Sequence, residues 1–247
     1  MKIKTIEGFG LPGAGKSTSI NRLQNLNKNP SVEVLLRKEG QTKMLDKIDV
    51  FSNRKLNTIY RNFIVVYYVI VRPRYFYSVL KSIFLFNFNK SFIAVLRNLI
   101  EAQYCYSKFS KQNTKNNIVL DEGLVQYLGS LVVNVSKNNK LPKELVKHTL
   151  KNYISGLIYF RISHPDAIKR IQKRNDGKSR FDRMDTESAV VNLERMEEIF
   201  LLCIEIGKNL NIPVLILAPG NSVDHNVKQI MSFLNESPNL KRNTSAI

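Results

Sequence analysis

The sequence predicts an α/β fold built on a parallel sheet, and three observations predict it. Five short apolar segments, in KIKTIEGF, SVEVLLR, NIVLDEG, GLIYFRIS and IPVLILA, alternate with segments that read as helix. Within each segment the apolar residues run continuously, as they do in strands covered on both faces, rather than alternating with polar ones. The first segment leads straight into a turn with Gly10, Gly13 and Gly15 crowded beside Lys16. Sheets of this kind bind ligands at the carboxyl ends of their strands, where that turn would sit.

The elements follow in order. KIKTIEGF is a short strand. Lys16 to about Asn27 is a helix that stops before Pro30, because a residue preceding proline avoids the helical region. SVEVLLR (31–37) is β-branched and apolar, a second strand. Residues 44–112 read mostly as helix, aromatic throughout, with a break at Arg72-Pro73-Arg74. NIVLDEG (117–123) is a buried strand ending in two acids, and Pro142 to about Tyr153 is helical. GLIYFRIS (156–163) is another buried strand; Ser163 and Asp166 then fit a capping box before AIKRIQKR. NDGKSRFDRMD is a polar loop. Thr186 to about Asn209 is a long helix, IPVLILA (212–218) the last strand and VDHNVKQIMSFL the closing helix. The expectation is one domain over 1–236 and a disordered tail, 237–247.

Composition narrows the partners. With 247 residues, 43% of them hydrophobic, the chain can bury a large core. Lys and Arg total 38 against 20 Asp and Glu, a net +18 that favours nucleotides, nucleic acid or an anionic membrane surface. Part of that excess is also what a solvated lysine-rich surface gives. Cys105 and Cys203 sit among apolar neighbours without metal-ligand spacing, as buried thiols in a reducing cytoplasm do. His148, His164 and His225 are scattered and make no metal pattern. The N-terminus has no signal-peptide h-region. FIVVYYVIV (63–71), closed by Arg72-Pro73-Arg74, is well short of the ~20 residues that cross a membrane. The expected location is the cytoplasm.

Gly10-Leu11-Pro12-Gly13-Ala14-Gly15-Lys16-Ser17 satisfies G-x-x-x-x-G-K-[ST], between a strand and a helix as the motif requires. Its glycines let backbone N–H groups converge on phosphate oxygens, and the helix N-terminus adds partial positive charge. Gly10, Pro12, Gly13, Ala14, Gly15, Lys16, Ser17 and Thr18 are the expected nucleotide-binding set. Lys16 reaches the β- and γ-phosphates and the Ser17 hydroxyl suits Mg²⁺. Asp121, ending the apolar strand NIVL, is a second candidate for Mg²⁺, and Glu122 follows it. A base-selecting N-K-x-D segment is absent, which argues against a GTPase.

IEGFGLPGAGKST, VLLRKEG (34–40), KRIQKRNDGKSRFDRMDTE (169–187) and IPVLILAPGNSVDHNVKQIMSFL together resemble the thymidylate kinase and deoxynucleoside kinase group of P-loop kinases. Two extra residues separate Ile6-Glu7-Gly8 from the loop, and Pro12 stands where thymidylate kinases carry an Asp. The resemblance implies a three-layer P-loop NTPase sandwich with a five-stranded parallel sheet and a helical lid and insert region. It implies ATP as phosphate donor, Mg²⁺, and transfer to a small acceptor, foremost a nucleoside or nucleoside monophosphate. Glu39 or Asp121 would orient the acceptor hydroxyl. Arg174, Arg180 and Arg183, in a lid loop over 174–185, would close on the transferred phosphate. Arg97 and Glu122 would face the acceptor, and 44–112 would form its side of the site. A sugar or glycan-pathway acceptor is the second enzymatic reading. A non-kinase ATPase or switch on nucleic acid or membrane is the rival from another class. Segment 59–88 reads as helices covering the sheet and pocket, with a membrane-docking surface or a homodimer face as the alternatives.

Overall fold

The computed structural model describes residues 5–27, 32–35, 54–85, 90–109, 117–133, 140–174 and 180–236. The expectations for Glu39, for 44–53, for 175–179 and for the tail lie outside the described residues. Five strands carry the fold: β1 (Thr5–Gly10), β2 (Val32–Leu35), β3 (Asn117–Leu120), β4 (Gly156–Phe160) and β5 (Val214–Leu217). They pair in the order β2-β3-β1-β4-β5, every pair parallel.

Strand periodicity divides the core in two. Successive side chains point to opposite faces, so Ile6, Val119, Ile158 and Phe160 join Ile20 and Leu23 of α1 (Lys16–Leu26) and Val227 and Ile230 of α9 (Val223–Glu236). Phe9, Ile118, Leu120, Leu157 and Tyr159 face the other layer. That layer holds α4 (Lys90–Phe109), α5 (Leu124–Leu131), α6 (Lys143–Tyr153) and α8 (Thr186–Asn209). The result is the expected three-layer α/β sandwich. Outside it lie α2 (Arg54–Ile70) and α3 (Pro73–Leu85), turned by 117° at the expected Arg72-Pro73 break. Proline supplies no N–H, and its fixed φ suits the first turn of α3. The remaining helix, α7 (His164–Arg174), begins where expected: the Asp166 N–H donates to Ser163 Oγ at 3.2 Å.

Two elements were not expected. Residues 124–131 form α5, a helix buried along most of its length with Gln126, Tyr127 and Ser130 half-buried; at two turns it is too short for its period to announce it. It packs tightly on α8; a Cβ at Gly129 would overlap the Phe200 ring. Within the polar loop, Arg180–Arg183 form a single 3₁₀ turn anchored by the buried Phe181. One strand is also shorter than its apolar run: β5, at the sheet edge, covers four of the seven residues of IPVLILA and leaves Ile216 exposed. Among the described residues no single helix is long and apolar enough to cross a membrane.

Candidate active site

The glycine loop sits at the carboxyl edge of β1, the middle strand. Leu11 is fully buried and fixes one end of the loop. Gly13 and Gly15 take φ of +84° and +82°, a conformation that a Cβ opposes. Gly15 directly precedes α1, whose first turn has no side-chain cap, so its leading N–H groups face the cleft as an anion site. Lys16 is buried; its Nζ curls back to donate to Gly10 O at 3.0 Å and Leu11 O at 3.2 Å. From outside, Arg170 of α7 donates from Nη1 to Gly13 O at 2.9 Å and holds the loop.

An open cleft of about 610 Å³ spreads from this loop. Its walls include Pro12 to Thr18, then Glu122, Gln126 and Ser130, then Arg170, Arg174, Arg180 and Phe181. Four cations thus face one carboxylate. Arg174 also pairs with Asp182, Nη2 to Oδ1 at 2.9 Å, which ties the end of α7 to the 3₁₀ turn. Beside the loop after β5 is a cavity of about 30 Å³, lined by Arg161, Gly220, Asn221 and Asn226 among others.

The structure therefore gathers the loop residues, Glu122, Arg174 and Arg180. Asp121 is only 3% exposed and is not part of the cleft wall. Arg183 is exposed on the 3₁₀ turn, away from that wall, and Arg97 is exposed on α4. Glu39 lies outside the described residues.

Sequence reasoning assigned no role to Glu7, Gln126 or Ser130, and gave Arg170 no definite one. Glu7 sits inside β1, fully buried. Its Oε1 accepts the N–H groups of Gly123, Val125 and Gln126 at 3.0, 2.8 and 3.0 Å, so a side chain of the central strand caps α5. Gln126 in turn reaches the loop: the Gly10 N–H donates to its Oε1 at 3.4 Å. Burial pushes the Glu7 carboxyl up to about 7, against the pull of those N–H donors. A lone acid in a continuous apolar strand was the available signal. The helix it caps, too short for its period to be read, hid its purpose.

A glycine loop at the carboxyl edge of a parallel sheet ordered 2-3-1-4-5, opening a helix, defines a P-loop NTPase fold. The fold is deoxynucleoside kinase-like. Deoxyadenosine kinase from M. mycoides, solved with products dCMP and a flexible dCDP bound, superposes with a TM-score of 0.53. It is 18% identical over 94% of this chain and 99% of that one. The same organism's deoxyadenosine kinase with bound dATP superposes at 0.49, 22% identical over the same shares of the two chains. No protein-family model matches the sequence, and no curated protein matches it.

Proposed function

We propose that the protein is an ATP-dependent kinase that transfers the γ-phosphate to a small acceptor, foremost a nucleoside or nucleoside monophosphate. One observation carries the reading: a phosphate loop with both left-handed glycines and Lys16 opens onto a cleft whose lining also supplies Arg170, Arg174 and Arg180. Phosphoryl transfer needs positioning and charge stabilisation more than covalent chemistry, and that set provides both. The fold shared with a deoxyadenosine kinase supports this class of acceptor.

In this reading the N–H groups from Gly13 to Lys16 hold the β-phosphate. Lys16 turns from the Gly10 and Leu11 carbonyls toward the γ-phosphate. Arg174 and Arg180 close on the transferred group, joined by Arg183 when the turn moves inward. Glu39 or Asp121 takes the acceptor proton, and Glu122 and Arg97 belong to the acceptor side. The donor set fits Mg²⁺: Ser17 offers a hydroxyl at the cleft and Glu122 a carboxylate in the same wall, with Asp121 behind it. All are hard oxygen ligands, and one or two suffice when phosphates and water complete the sphere. Mg²⁺ bound there would neutralise phosphate charge.

The test is a panel of nucleosides, nucleoside monophosphates and sugars, read as ADP formed from ATP. Acceptor-dependent ADP with a nucleoside or its monophosphate is expected. ADP release stimulated only by sugars would move the acceptor class. Release indifferent to every acceptor but responsive to nucleic acid would replace the kinase with an ATPase or switch.

A further inference from the structure

Helices α2 and α3 each have two apolar stripes and bury only one. Ile64, Tyr68 and Val69, then Tyr75 and Val79, enter the core. On the outside of α2 lie Ile59, Phe63, Val66, Tyr67 and Ile70, three and four residues apart, with Phe63 65% exposed. On the outside of α3 lie Tyr77 and Phe84, 68% and 65% exposed, with the exposed Lys81 between them. A surface helix of a soluble domain ordinarily turns a polar face outward; these two do not.

The charge around the stripes identifies what covers them. Residues 51–100 hold eight Lys or Arg and no Asp or Glu, eight of the chain's net +18 in a fifth of its length. Arg74, Lys81 and Lys90 are exposed there. A second copy of the chain docking through this face about a two-fold axis would set these cations against themselves. An anionic bilayer meets both features: headgroup charge takes the cations, and the acyl boundary takes the apolar stripe, with tyrosines suited to the interface between them. The 117° bend and the stripe held in the core suit helices lying on a membrane rather than crossing it.

We propose that the α2–α3 elbow docks the protein on an anionic lipid surface. The proposal is independent of the kinase reading. It is tested by co-sedimenting the full chain with vesicles of phosphatidylcholine alone or mixed with phosphatidylglycerol. Binding to the mixed vesicles at least ~25-fold tighter than to the neutral ones, and weakened by salt, is expected. Arg74→Gln/Lys81→Gln should weaken it by ~25-fold, since each cation near such a surface is worth about fivefold. Tyr77→Ser/Phe84→Ser should abolish it while circular dichroism and binding of an ATP analogue stay as in the wild type. Equal binding to both vesicle types, or unchanged binding by both variants, overturns the proposal. So does a wild-type dimer in sedimentation velocity that Tyr77→Ser/Phe84→Ser makes monomeric without altering vesicle binding, because the occupant is then a second copy.

Discussion

Replacing Glu7 with Gln tests how a buried acid holds the cleft wall. Glu7 is fully buried, and its carboxyl titrates near about 7 instead of 4.5 because burial disfavours the ion. Between those values the folded chain keeps a proton that the unfolded chain has released. Its contribution to stability is therefore complete below 4.5 and is lost as pH rises through 7. At about 1.36 kcal/mol per pH unit, the difference amounts to about 3 kcal/mol. His148, stacked on Tyr75 with centroids 4.4 Å apart, acts in the opposite sense. Burial lowers its titration from 6.5 to about 4, so its contribution is complete above 6.5 and is lost as pH falls through 4. Its ring is only partly enclosed, and solvent screening reduces the effect to about 1–2 kcal/mol. The two groups oppose each other through the mildly acidic range.

Glu7→Gln keeps an oxygen for the three N–H donors and removes the titration. Its Nε2 takes the place of Oε2, which has no hydrogen-bond partner among the described residues, at a cost that does not vary with pH. The readout is thus a slope. Urea unfolding followed by circular dichroism should show the stability of the variant, relative to wild type, rising by about 3 kcal/mol from about pH 4.5 to about pH 8. The variant alone should lose stability on acidification, as His148 is no longer countered. A difference between the two proteins that stays constant within about 0.5 kcal/mol across this range would refute the raised carboxyl.

Three further outcomes follow from the cleft. Lys16→Ala should abolish turnover with an unchanged far-ultraviolet spectrum, since Lys16 serves transition-state charge; near wild-type turnover would remove the loop from the chemistry. Asp121→Asn should lower kcat and flatten the Mg²⁺ titration, and an unaltered titration would leave Asp121 a strand-end acid with no part in metal binding. Arg180→Ala should cut acceptor-dependent transfer by ~10²-fold with ATP affinity nearly intact, and Arg183→Ala should cost less, since only Arg180 is in the cleft wall. Equal losses of ATP binding and transfer in Arg180→Ala would make it a ground-state phosphate contact.

The sequence made the fold legible wherever a local rule operates. Continuous apolar strands announced a sheet covered on both faces. The loop motif, dictated by sterics at Gly13 and Gly15, placed the glycine turn between β1 and α1. What escaped depends on tertiary contact. Helix α5 is only two turns long, so its period was too brief to read, and Gln126 and Ser130 reached the cleft unannounced. Arg170 was one basic residue among several on AIKRIQKR; only the packing of α7 on the loop selects it. Asp121 shows the reverse. A strand-end acid was legible as a candidate, but the sequence did not show that Glu122 would line the cleft while Asp121 is buried beside it.

The two halves of the site differ in how firmly they are held, and on the proposed reading the difference is functional. The loop is fixed from three sides: Leu11 below, Arg170 at Gly13, and Gln126, on the helix that Glu7 caps, at Gly10. A donor phosphate therefore meets backbone groups already in place, with Lys16 left to turn from the Gly10 and Leu11 carbonyls toward it. The arginine wall rests on a lighter tie. Arg174 pairs with Asp182, whose carboxylate is fully buried, while the guanidinium is 43% exposed and keeps an outer edge open to phosphate oxygens, which match its fork as well as a carboxylate does. Donor and acceptor phosphates together would draw the outer edge of Arg174 toward them with Asp182 still paired, and the 3₁₀ turn that carries Arg180 would follow. Closure would then follow the combined charge of both substrates rather than the triphosphate alone, which restrains hydrolysis of ATP in the absence of an acceptor.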